Sequence, residues 1–86
     1  MSKLTFAEKA WDEYIYWQEN DKKTLKRINL LLKDIARNGN GGIGKPEPLR
    51  YRDGWSRRID DVNRLVYQLN ANGTVEVLQC KGHYDD

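Results

Sequence analysis

Three side chains in the second half of this sequence have the types needed to cut a phosphodiester: Glu47, Arg64 and His83. RNA carries its own nucleophile, the 2′-hydroxyl. Cleavage then needs a base for that proton, a fixed positive group for the charge on phosphorus, and an acid for the departing 5′-oxygen. Glu or His can serve as base, His as acid and Arg as the fixed cation. Tyr84, beside the sole histidine, can stack on a base or orient the phosphate. Taken singly, each of these residues has an ordinary structural explanation. Their combination on different elements of one small sheet is what points to a metal-free ribonuclease site.

Glu47 lies between Pro46 and Pro48 in the run Gly44-Lys45-Pro46-Glu47-Pro48-Leu49. A residue before proline is pushed out of the right-handed helical region, so Lys45 and Glu47 are both expected to be extended. A carboxylate braced in this way loses little entropy when it is positioned. Other chemistries fit less well. Cys80-x-x-His83 has a zinc-like spacing, but the chain has no second Cys or His to complete a zinc site, and no metal or cofactor is expected. A Cys three residues before a His on one strand points to the wrong face for a Cys–His dyad. Cys80 is better read as a small buried apolar residue. Residues 38–44 contain four glycines, yet lack the Lys-Ser/Thr that would follow the last glycine of a phosphate-binding loop, and no strand precedes them. They read as a flexible crossing segment.

The elements that must carry these groups follow from periodicity. Lys3-Leu4-Thr5-Phe6 reads as a short strand. Ala7, Ala10, Trp11, Tyr14 and Ile15 then fall at the spacing of one helical face, predicting a helix over 7–18 with its aromatic residues at core and rim. Nothing at Ala7 can cap its start, so a cap is expected from Thr5 or elsewhere. Glu19-Asn20-Asp21 breaks the pattern and supplies an N-cap for a second helix over 22–37, whose buried stripe is Leu25, Ile28, Leu32 and Ile35 with Leu31 beside it. Asn38-Gly39 ends it through a left-handed C-cap.

From Trp55 to Tyr84, three runs rich in aromatic and β-branched residues are separated by Asp60-Asp61 and by Asn70-Ala71-Asn72-Gly73, the pattern of an antiparallel meander. Leu65, Tyr67 and Leu69 should face the helices, which turns Arg64, Val66 and Gln68 to the other face. The last run, Val75 to Lys81, is mixed on both faces. The fold class is therefore α+β, with two helices on one face of an antiparallel sheet and the other face open to a single-stranded ligand.

Eighty-six residues make a single domain, residues 1–86, with 38% hydrophobic residues, a modest core and large rings to fill it. Fifteen basic against thirteen acidic residues leave a net charge of only +2, which by itself predicts no polyanion partner. The distribution says more: residues 45–58 hold five basic side chains, mostly arginine, against Glu47 and Asp53. Arginine suits planar, bidentate phosphate contacts. One cysteine fits a reducing cytosol, no charged-then-apolar leader opens the chain, and no run approaches the roughly 18 apolar residues of a bilayer span, so a cytoplasmic protein is expected.

The blocks GKPEPL at 44–49, WSRRI at 55–59, NRLVY at 63–67 and the pair His83-Tyr84, with WDEY at 11–14 and YWQ at 16–18, resemble the YoeB toxins of the RelE/ParE-like toxin–antitoxin superfamily over nearly the whole chain. That resemblance implies a microbial-RNase-like fold, two N-terminal helices on a curved antiparallel sheet. It also implies an mRNA endonuclease assisted by the ribosome, cutting message in the A site and halting translation. By the same resemblance Glu47 is the general base, His83 the general acid, Arg64 the phosphate-stabilising group and Tyr84 a substrate-positioning residue. Lys45, Arg50 and Arg58 hold RNA. The implied partners are a YefM-type antitoxin, the ribosome and its mRNA, operator DNA through the antitoxin complex, and a second copy of the chain.

Three departures from the family pattern stand out. Asp85-Asp86 follow the His-Tyr pair, the connection 50–54 is shorter than usual, and Gly82 replaces a larger residue, which should loosen the last strand. The rival functions are a non-catalytic, antitoxin-binding co-repressor and a ParE-like gyrase poison. Neither needs both a base and an acid.

Overall fold

A computed structural model describes residues 3–83. The element order is β1 (Leu4–Phe6), α1 (Glu8–Asn20), α2 (Lys22–Asn38), β2 (Glu47–Pro48), β3 (Trp55–Arg58), β4 (Arg64–Leu69) and β5 (Val75–Gln79). The five strands form one sheet in the order β1-β5-β4-β3-β2. The sheet is mixed rather than wholly antiparallel, because β1 lies parallel to β5. A parallel neighbour needs a long crossover, and the two helices between β1 and the rest of the sheet provide it. The α+β expectation holds with that change.

α1 runs two residues further than its periodicity suggested and buries Ala10 and Trp17, while Trp11 stays half exposed in a cluster with Phe6 and Tyr14. No side chain caps its start. Instead the Ala7 N–H donates to Val77 O at 2.9 Å, which anchors the helix entry to β5. Asp21 caps α2, accepting from the Thr24 N–H at 3.1 Å and the Thr24 hydroxyl at 2.8 Å. Those bonds, the backbone one first, hold its carboxyl below the usual range. The amphipathic stripe of α2 buries Ile28, Leu31, Leu32 and Ile35 against Leu65, Tyr67, Val75 and Val77. Gly39 ends α2 at a positive φ of 64°, but its ψ of −132° is not that of a left-handed helical cap.

The glycine segment is fixed rather than flexible, because Arg57 is wholly buried beneath it. Its guanidinium donates to Gly39 O at 2.6 Å, Gly41 O at 3.1 Å, Ile43 O at 2.9 Å and the Tyr67 hydroxyl at 3.2 Å, and it pairs with the Asp34 carboxylate. At Gly42, with φ of 123°, an added Cβ would lie 2.1 Å from Asp34 Oδ2, so no side chain fits there. A guanidinium in this role is unavailable to RNA. Arg57 belongs to the fold, unlike its neighbour Arg58.

Cys80 is buried between the sheet and α1, with its thiol 3.5 Å from Ala10 O. Burial, reinforced by Glu13, pushes the thiol up to about 12. Among the described residues no cluster of three or more His, Cys, Asp and Glu could hold a metal ion, and no helix is long and apolar enough to cross a membrane.

Three outcomes follow from this packing. Arg57→Met should destabilise the protein by about 3–5 kcal/mol in urea denaturation, since Asp34 and three loop carbonyls lose their partner. The hydrogen bond from Arg57, aided by Asn38 and the Ile43 N–H, holds the Asp34 carboxyl below its ordinary range. A depressed folded-state value means that this contribution is present above the unfolded carboxylate range and is lost as pH falls through the folded one. Stability should thus drop below roughly pH 4, and less steeply in Asp34→Asn. The Cys80 thiol should resist alkylation at pH 8 in the native protein and react at once in denaturant, as read by mass spectrometry.

Candidate active site

The strand register assigns the two faces. Trp55 pairs with Tyr67, Arg57 with Leu65 and Tyr67 with Val77, all turned toward the helices. Glu47 pairs with Ser56, Ser56 with Val66 and Val66 with Gln79, forming a row across the opposite face. Arg58 pairs with Arg64 in the adjacent row. The mixed pattern of the last strand has a simple cause. The β4–β5 register slips between Val66 and Tyr67, so Leu78 is an extra residue, a bulge that turns Gln79 to the open face and Cys80 to the core. The open face is not bare at its centre, where Val66 is 1% exposed.

On that face lies a polar cavity of about 240 Å³ lined by Lys45, Glu47, Ser56, Arg58, Arg64 and His83. Three strands and two connections supply these groups. Glu47 is carried by β2, extended as its flanking prolines require. Lys45 departs from expectation. Its φ is 52°, directly after Gly44 at 82°. The proline rule closes the right-handed helical region to Lys45 but leaves the left-handed one open, at a cost of order 1–3 kcal/mol for a non-glycine residue. A side chain at Gly44 would be strained by its positive φ and would press to 2.8 Å from Leu31 Cδ2, and the Gly44 carbonyl accepts from the Arg58 N–H at 2.7 Å.

Arg64 is held from below by its own turn. Its Nη1 donates to Asp60 O at 2.7 Å and Asn63 O at 3.1 Å. The Asp60 carboxylate closes that turn, accepting from the Val62 N–H at 2.8 Å and the Asn63 N–H at 2.7 Å. Burial alone would raise this carboxyl, but the hydrogen bonds from Asn63 and Val62, with Arg64 nearby, hold it below its usual range. Arg58 and Arg64 stand directly opposite each other, an arrangement of like charges that is unfavourable unless an anion lies between them. With Lys45 the cavity has three basic side chains against Glu47, a balance suited to a phosphate oxygen anion.

His83 enters beyond the end of β5, from the turn made by Lys81 and Gly82. Gly82 is not a loose point of a strand. It sits past β5 at φ of 85°, with its N–H donating to Asn63 Oδ1 at 2.7 Å and its carbonyl accepting from the Arg64 N–H at 3.0 Å. Of the residues singled out in the sequence, Lys45, Glu47, Arg58, Arg64 and His83 thus border one cavity, while Arg50 lies in the exposed bend 50–53 and does not line it. Tyr84 lies outside the described residues. Ser56 is a cavity residue that sequence reasoning passed over. Its only signal was alternation with Arg57, which has meaning once Arg57 is known to point inward. A larger depression of about 400 Å³ beside α1, lined by Glu8, Lys9, Asp12, Glu13, Tyr16 and Lys81, gathers acids and lysines without a base–cation–imidazole set.

Comparison with known proteins agrees with this architecture. The family model for the YoeB-like toxin of bacterial type II toxin-antitoxin systems matches residues 6–84. The chain is 50% identical over 84 residues to a Toxin YoeB of Synechocystis, covering 95% of this chain and 96% of that one. A YoeB–YefM toxin–antitoxin complex from Staphylococcus aureus, a heterotetramer, contains a chain that superposes with a TM-score of 0.89 at 46% identity, covering 98% of this chain and 99% of that one. A YoeB dimer from the same organism gives a TM-score of 0.89 at 47% identity, over 95% and 97% of the two chains. By sequence over nearly its whole length and by fold, the chain belongs to the YoeB-like toxins of bacterial type II toxin–antitoxin systems.

Proposed function

We propose that this toxin is an endoribonuclease that cuts mRNA in the A site of the ribosome, by general acid–base catalysis on the open face of its sheet. The observation that supports this reading is the shared cavity bordered by Glu47, Arg64 and His83, with Lys45 and Arg58 beside them. In the proposed reaction Glu47 takes the 2′-hydroxyl proton and the 2′-oxygen bonds to phosphorus. The P–O5′ bond breaks as His83 gives its proton to the leaving oxygen, yielding a 2′,3′-cyclic phosphate and a 5′-hydroxyl end. Arg64 meets the charge on the phosphoryl oxygens from a position its turn has already set, so little reorganisation is needed at the moment of reaction. Lys45, Arg58 and, further out, Arg50 hold the RNA backbone, and Tyr84 positions the nucleotide.

A net charge of only +2 gives weak general attraction to RNA. The ribosome supplies what the protein lacks by presenting the message in a fixed path, a proximity effect, and this places the protein's work in the cytoplasm. The Staphylococcus aureus relatives were solved with YefM and as a dimer. On that basis the partners of this chain are a YefM-type antitoxin, whose C-terminal segment wraps the toxin and disturbs the site, and a second copy of itself. The toxin–antitoxin complex also binds operator DNA.

Primer extension on ribosome-bound message tests the reading. Wild type should give discrete cuts, and Glu47→Ala and His83→Ala should each slow cutting by about 10²–10⁴-fold without unfolding the protein. Intact message alongside failed supercoiling by gyrase would replace the nuclease reading with a gyrase poison.

A further inference from the structure

The segment after β5 carries His83 to the cavity without the support of a full strand ladder, so its backbone groups must find partners elsewhere. Side chains from α1 and from the turn before β4 provide several of them. Glu13 accepts from the Cys80 N–H at 2.8 Å, the Trp17 indole donates to Cys80 O at 2.8 Å, and Asn63 accepts from the Gly82 N–H at 2.7 Å. Three successive carbonyls converge on one amide, and of these Gly82 O also accepts from the Arg64 N–H. Gln79 Nε2 lies 3.2 Å from Lys81 O, 3.3 Å from Gly82 O and 3.0 Å from His83 O. Only a donor is stable there, which also sets the orientation of the amide. Gln79 is 9% exposed and reaches this place because the bulge at Leu78 turns it to the open face, in the same cross-strand row as Glu47 and Ser56.

We propose that Gln79 is the positioning residue of the site: by gathering three successive carbonyls it sets where the His83 imidazole stands relative to Glu47 and Arg64. The proposal rests on the reading of Glu47, Arg64 and His83 as one cleavage site. Gln79 touches no reacting atom in this scheme and acts only through the backbone that bears His83. A displacement of about 1 Å at a catalytic group can cost about 100-fold in rate, so the loss of this clamp should be seen in turnover more than in binding.

The experiment has two arms on the full chain, using Gln79→Leu, which keeps the volume and removes the donor, and Gln79→Glu, which keeps the polarity but sets a carboxylate against the carbonyls. The first arm is nitrogen-15 relaxation of the free protein together with the imidazole resonance, unambiguous because the chain has one histidine. In either variant the heteronuclear NOE of the Gly82 and His83 amides should fall while those of β3 and β4 stay unchanged. Retention of wild-type values at both amides overturns the proposal. The second arm is ribosome-bound cleavage, where kcat should fall about 10–100-fold and KM should move less than about threefold. In a His83→Ala background the same substitution should have no further effect, because the two act through one group. An equal loss in that background overturns the proposal, since Gln79 would then act on something other than His83. A wild-type protein that cuts no message would remove the cleavage reading, and the first arm alone would then decide whether Gln79 holds the segment.

Discussion

Arg57 leaves β3 toward the helices with no solvent exposure, and each of its five N–H groups meets an acceptor: Tyr67 Oη, Asp34, and the carbonyls of Gly39, Gly41 and Ile43. Burying a guanidinium costs several kcal/mol, which such a full set of partners offsets, so the pair is not by itself a source of net stability. What it fixes is the path from α2 to the sheet. The loop over 39–44 has few apolar side chains of its own to pack, and without the guanidinium its carbonyls would have no buried partner. Glycine is needed at the point where the loop passes Asp34, since any Cβ at residue 42 would collide with the carboxylate. The loop then delivers Gly44 against β3, and so fixes where Lys45 and Glu47 emerge.

A second constraint acts at the other edge of the site. The bulge at Leu78 shifts the alternation of β5 by one residue, so that Val77 and Cys80 both serve the core while Gln79 serves the open face. A strand with uninterrupted pleating would have turned Cys80 outward and Gln79 inward. The slip thus reconciles two demands on one short segment, filling the core under α1 and supporting the turn that presents His83. The pKa of about 12 at Cys80 is the chemical consequence of the inward half.

The cavity departs from local preference in ways consistent with a ligand-binding role. Two arginines face each other across β3 and β4, and a lysine holds a positive φ beside them. Both are locally unfavourable: an anion bound between the cations relieves the repulsion of the arginines, while the strain at Lys45 lies in the backbone and is held by the packing around it. The surrounding structure meets that cost with the Asp60 turn beneath Arg64 and the Arg57-held loop beneath Lys45.

Local chemistry in the sequence was enough for the two helices, the meander, the inward set of Leu65 and Tyr67, the braced extension at Glu47 and the grouping of Glu47, Arg64 and His83, because each depends on periodicity, turn residues or the recognisable blocks around them. Four features could not be read that way. Arg57 and Arg58 are adjacent and identical in type, and only pairing with Leu65 or Arg64 decides which is buried and which lines the cavity. The parallel seat of β1, the left-handed Lys45 and the slip at Leu78 likewise arise from contacts between residues far apart in the chain. Side-chain type and spacing thus determined which groups were available for chemistry. Tertiary structure decided which face each one meets, because in a strand that choice turns on a one-residue shift in register that no local propensity records.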